Sequence, residues 1–138
     1  MNASNQPLVE FHADGPISVG TIRSSSVLSA TNVAEFGNEI LGHIKANPKL
    51  NLLLDFGQVD YLSSAVLTEL LRVNKAIQET GGRLQLCGVS SVIREIFEIT
   101  NLDRIFVIFS DSASAGVRRF KRSLEIAESE AAWDDPKP

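Results

Sequence analysis

The chain has 138 residues with a formal net charge of −4, 43% of them hydrophobic and 22% charged. That length fits one compact domain with an ordinary core, and the balance of residues excludes a fibrous or wholly disordered chain. No stretch reaches the apolar length of a membrane span and residues 1–6 lack the regions of a signal peptide, so a cytoplasmic protein is expected; Cys87, the only cysteine, excludes internal disulfides and multi-cysteine metal sites.

Residues 7–13 alternate through Leu8, Val9, Glu10, Phe11 and His12, then Asp14-Gly15-Pro16 turns the chain into Ile17, Val19 and Ile22, the pattern of a β-hairpin. A helix capped within Ser29 to Thr31 follows over about 32–46, with Val33, Phe36, Ile40, Leu41 and Ile44 at helical spacing until Asn47-Pro48 stops it. Residues 50–56 hold the run Leu52-Leu53-Leu54, which suits a central strand covered on both faces. After Val59 and Tyr61, Ser63 opens a helix with Val66, Leu70, Val73 and Ile77 on one face, ended by Gly81-Gly82. Residues 83–87 alternate as a strand. Ser90 or Ser91 caps a short helix whose buried stripe is read as Val92, Ile93, Ile96 and Phe97, and residues 105–109 form the last strand. Beyond Asp111, Val117, Phe120, Leu124 and Ala127 keep helical spacing. Strands alternating with helices imply an α/β fold with crossover connections. Residues 1–127 are read as one domain and 128–138 as an acidic, flexible tail.

The cluster Arg118, Arg119, Lys121 and Arg122 is followed by Glu125, Glu128, Glu130, Asp134 and Asp135, so the blocks partly cancel and read as a solvated helix face. Nucleic acid is not an expected partner. His12 and His43 lack a further ligand at zinc spacing, and no metal is expected. The neighbours of Ser64 are Ser63 and Ala65 rather than the glycines of a nucleophile elbow, and no phosphate-binding loop follows Gly81-Gly82 or Gly88. Cys87, ending an apolar alternation, reads as a small core residue. Asp55 and Asp60 flank the serine loop and read as turn and cap formers before they read as an acid–base or Mg²⁺ pair.

Residues 50–71, LNLLLDFGQVDYLSSAVLTELL, resemble the signature region of the STAS family. The turn Gly81-Gly82-Arg83-Leu84 and the segment VIREIFEITNL at 92–102 resemble the family's next strand and its short third helix, so the likeness covers residues 8–127 in element order. It implies an α/β STAS fold, a mixed, mainly parallel sheet of about four or five strands with helices packed on it. It implies a non-enzymatic module of bacterial signal transduction and transcription regulation, without cofactor, similar to the anti-sigma-factor antagonists. Such proteins bind a serine kinase that doubles as anti-sigma factor, release it on phosphorylation, and are reset by a serine phosphatase. Motif against motif, the phosphorylated residue is Ser64, with Ser63 the alternate, and the docking face is Asp60, Tyr61, Leu62, Ser63, Ser64, Ala65 and Glu69. Leu62 stands where the family has Asp, and Ala65 where it has Gly; the first exchange removes a carboxylate and adds apolar surface beside the site.

A phosphate of about two negative charges on Ser64 suits a helix N-terminus, whose N–H groups carry partial positive charge, and would repel an apolar or acidic partner surface. The same residues also read as a plain cap, Ser63 accepting from the first turn with Leu62 and Leu67 at the positions of a hydrophobic staple. The two readings are compatible. The alternative function is a STAS scaffold domain without phosphoswitching.

Overall fold

The structure, a computed structural model, describes residues 7–23 and 33–134, with the side chains of the last helix described as far as Glu130. A hairpin of β1 (Val9–Asp14) and β2 (Ile17–Ile22) is followed by α1 (Val33–Ala46), β3 (Asn51–Asp55), α2 (Ser64–Glu79), β4 (Arg83–Cys87), α3 (Ser91–Ile99), a 3-10 turn (Leu102–Arg104), β5 (Val107–Ile108) and α4 (Ala113–Asp134). The order matches the sequence expectation apart from the added turn. The cap expected at Ser29 to Thr31 lies outside the described residues.

One five-stranded sheet has the order β1-β2-β3-β4-β5, antiparallel between β1 and β2 and parallel elsewhere. Parallel neighbours that follow each other in the chain must be joined by crossovers, and right-handed crossovers in sequential order place their helices on one face. The pleat records this. Leu52 and Leu54 of β3 and Leu84 and Leu86 of β4 share a core with Phe36, Ile40, Val66, Leu70, Ile93 and Phe97 of α1, α2 and α3. Leu53, alternating with them, points with Ile17, Val19 and Cys87 to the other face, where Val117 and Phe120 of α4 cover it. The leucine run is therefore apolar throughout because β3 is covered twice.

Local chemistry sets the ends of these elements. At the end of α2, Gly82 N–H donates to Ile77 O at 2.8 Å and Gly81 N–H to Gln78 O at 3.0 Å, a Schellman closure in which Gly81 takes φ 80°. In α3 the buried residues are Ile93 and Phe97, whereas Val92, expected in the stripe, is 60% exposed. One residue is a rotation of about 100° on a helix, which carries Val92 off the face defined by positions 93, 96 and 97. The last strand is shorter than expected because Ile105 and Phe106 N–H groups both donate to Leu102 O, holding them in the 3-10 turn and leaving Ile105 exposed.

The basic cluster is not a uniformly solvated face. Arg119 grips Asp111 through Nε (3.1 Å) and Nη2 (3.0 Å), donates to Gln85 Oε1, and lies 3.4 Å over the Phe109 ring, while Lys121 pairs with Asp14 at 3.1 Å. Only Arg118 and Arg122 of the four are exposed. The pairs flank the buried Val117 and Phe120 stripe, so α4 is held by charge on both sides of its apolar seam. The helix also continues past Ala127 to Asp134, so the start of the segment expected as a flexible tail is helical.

On the other face, His43 of α1 stacks on Phe11 with ring centroids 3.9 Å apart, and its Nε2 lies 2.8 Å from Ser18 Oγ. Burial lowers the imidazole below its ordinary value of 6.5. The folded state thus holds fewer protons than the unfolded one near that value, so this contribution is full above about pH 6.5 and is lost as pH falls through the folded value. His43→Gln is expected to flatten the melting-temperature slope between about pH 7 and pH 5 relative to wild type; an unchanged slope would contradict it. Phe120→Ala is expected to cost about 3–5 kcal/mol in urea unfolding, and a loss below about 1 kcal/mol would show that α4 is not part of the cooperative core.

Candidate functional site

The loop between β3 and α2 begins with an anchored turn. Asp55 accepts from Gly57 N–H at 2.9 Å, Phe56 N–H donates to Cys87 O at 2.9 Å, and Val59 N–H donates to Phe56 O at 3.0 Å. Phe56, Val59 and Leu62 are buried, while Asp60 and Tyr61 are exposed, Tyr61 by 55%. Burial at every third position thus pulls the loop onto the core and leaves Tyr61 outward. Asp55 is a turn former, and among the described residues no three His, Cys, Asp or Glu side chains converge as metal ligands.

Ser63 is the N-cap of α2. At φ −91° and ψ 165° its backbone is extended, its Oγ accepts from Val66 N–H at 3.3 Å, and its carbonyl accepts from Val66 and Leu67 N–H groups. Leu62 before it and Leu67 in the second turn are buried in one core, the staple arrangement. Ser64, the first helical residue, is exposed, and no described residue bonds its hydroxyl. No acidic side chain lies in the first turn, so the partial positive charge of the helix start is not neutralised from within.

The seven residues expected at the docking face therefore divide. Asp60, Tyr61, Ser64 and Ala65 form an exposed surface at the helix start, and Ser63 is half-buried behind it. Leu62 is 7% exposed and adds no apolar surface, contrary to expectation, because its side chain is the plug that seats the loop. Glu69 is turned toward α1: its carboxylate sits where a Cβ on Gly37 would be, and pairs with Arg72 at 2.6 Å. Gly37 is the residue that permits this close approach of α2 to α1.

Beside this surface the sheet supplies a second helix start. Because β4 runs parallel to β3, the loop after Cys87 emerges at the same edge, and Ser90 caps α3 with Oγ accepting from Ile93 N–H at 3.3 Å. Ser91 and Val92 are exposed there. The serine pair was visible in the sequence as a cap; its place beside the first pair follows only from strand adjacency. Cys87 lies beneath, its thiol pushed up to about 12 by burial and then by Asp55 and Asp111, against the pull of Arg119. It is a protonated core residue.

A family model described as the STAS domain matches residues 9–115. BtrV of Bordetella bronchiseptica, named as a candidate anti-sigma factor antagonist, is 32% identical over 98 residues, covering 71% of this chain and 83% of that protein. Among solved structures, a candidate anti-sigma factor antagonist from Thermotoga maritima superposes with TM-score 0.72 at 18% identity over 82% of this chain and 94% of that one. The anti-sigma factor antagonist SpoIIAA in its unphosphorylated form gives 0.67 at 14% identity over 82% and 96%. At these identities the superpositions speak to the fold.

Ser63→Ala is expected to destabilise the domain by about 1 kcal/mol and Ser64→Ala by less than about 0.5 kcal/mol in denaturant unfolding. Equal losses would contradict the assignment of Ser63 as the cap and Ser64 as a surface group.

Proposed function

The chain belongs to the STAS domain family as an anti-sigma-factor antagonist-like member, and we propose that it binds a serine-kinase anti-sigma factor through the start of α2 and is released by phosphate on Ser64. The observation that carries this reading is the division of labour at the serine pair. Ser63 is committed to the cap, whereas Ser64 is exposed on the same first turn with no partner for its hydroxyl among the described residues. A phosphate there would meet the positive helix end without disturbing the core. Its cost would fall on the partner surface, through repulsion and desolvation. The protein would act by binding, in the bacterial cytoplasm, as a regulator of transcription, and a serine phosphatase would restore the binding form.

One observation favours docking without the switch. At the position of the family's Asp stands Leu62, which is buried, so no carboxylate lies immediately before the serine pair. A kinase acting on Ser64 must then position the hydroxyl with its own groups.

Incubation with the cognate kinase and ATP is expected to place one phosphate on Ser64 by mass spectrometry, and none in Ser64→Ala. No phosphate on either serine would overturn the switch. Ser64→Asp is expected to weaken retention of the kinase in a pull-down by roughly tenfold or more, and unaltered retention would favour the scaffold reading.

A further inference from the structure

The two edges of the sheet are finished differently. At one edge β5 is only Val107–Ile108, and Arg94 of α3 donates through Nη1 to the Ile108 carbonyl at 3.2 Å. A short strand closed by a guanidinium is a poor template for another chain. At the other edge β1 runs over Val9–Asp14, and beyond Val9 no described residue closes it.

The register identifies which main-chain groups β1 leaves open. Arg23 N–H donates to Leu8 O at 3.1 Å, so Leu8 and Arg23 form a hydrogen-bonded pair, and by alternation Glu10–Thr21, His12–Val19 and Asp14–Ile17 do the same. Val9, Phe11 and Ala13 therefore turn their N–H and C=O groups away from β2. Val9 N–H is taken by Glu39 Oε1 at 3.0 Å, whereas the outward groups of Phe11 and Ala13 have no partner among the described residues. The side chains alternate as well. Glu10, His12 and Asp14 share the sheet face of Ile17 and Val19, and Phe11 lies on the other, stacked on His43. Lys121 pairs with Asp14 and Arg23 with Glu10, while His12 between them is exposed without a side-chain partner among the described residues.

We propose that β1 is a homodimer edge, pairing antiparallel with β1 of a second copy to form one continuous sheet. Charge selects the register. With Phe11 opposite Phe11 of the second copy, Val9 meets Ala13, and Glu10 meets His12 on both sides of the axis, an acid against an imidazole flanking an aromatic pair. The neighbouring registers are worse: His12 opposite His12 sets Glu10 against Asp14, and Glu10 opposite Glu10 sets two acids together. Such self-complementarity is what a two-fold contact requires, and it favours a second copy over an unrelated extended segment. The axis stands perpendicular to the sheet and reverses the strands, so the two Ser64 helix starts face opposite ends and both stay open. The inference is independent of the reading of the serine pair. A single strand pair buries less than the roughly 1,000 Å² of a durable interface, so the dimer is weak and concentration-dependent.

Sedimentation velocity from about 10 to 500 μM is expected to show monomer giving way to dimer. Over the same range the Phe11 and Ala13 amides are expected to gain protection from hydrogen exchange, whereas the His12 amide, bonded to Val19, is protected throughout. Ala13→Pro removes an outward N–H that the monomer does not use, and His12→Glu changes only an exposed side chain and sets acid against acid. Each is expected to weaken dimerisation by roughly tenfold or more with unchanged circular dichroism, while Ser64→Ala leaves it unaltered. A monomer at every concentration, or a dimer indifferent to His12→Glu and Ala13→Pro, would overturn the proposal. So would Phe11 and Ala13 amides already protected in the dilute monomer, which would mean that the chain's own residues 24–32 cover the edge.

Discussion

Covering β3 on both faces is the constraint from which the rest of the architecture follows. Leu52 and Leu54 face one layer and Leu53 the other, and each is fully buried. Sequential right-handed crossovers can supply only the first layer, so a helix beyond the last strand must supply the second. Helix α4 does so with Val117 and Phe120, and its flanks are fastened by Arg119 to Asp111 and by Lys121 to Asp14. A strand enclosed in this way has a fixed direction and register, and the loop that leaves it delivers the serine pair to a fixed place.

That rigidity bears on how the domain can signal. The start of α2 is closed by Ser63 and seated by Leu62, so its neighbour Ser64 can change charge without any element having to move. A helix N-terminus accommodates negative charge, and a partner surface pressed against it does not. The parallel start of α3, with Ser91 and Val92 exposed, extends the same edge of the sheet. Tyr61 and Val92 expose apolar surface on that edge, beside the exposed carboxylate of Asp60.

Periodicity made the element order legible. The leucine triplet announced the doubly covered strand, and Ser63 before a helical pattern announced the cap, because both signals are local. Facts set by tertiary contact were not legible. Whether Glu69 faces solvent or α1 depends on Gly37, a residue of another helix, and Leu62 looked like surface only because the loop's path onto the core could not be read from its residues. Arg119 belonged to an apparent basic patch until its bond to Asp111 and its stacking on Phe109 placed it on the domain. His43 was isolated in the chain and meets Phe11 and Ser18 only because the hairpin lies beside α1.

The central claim is that charge at Ser64 decides partner affinity while the fold stays the same. It is tested most directly by calorimetry of the purified anti-sigma kinase with the unmodified protein and with protein carrying phosphoserine at position 64. The account predicts a Kd ratio of roughly thirtyfold or more, equivalent to about 2 kcal/mol, with the same circular dichroism and melting behaviour for both forms to within the loss of a single surface substitution. Equal Kd values for two folded forms would contradict it.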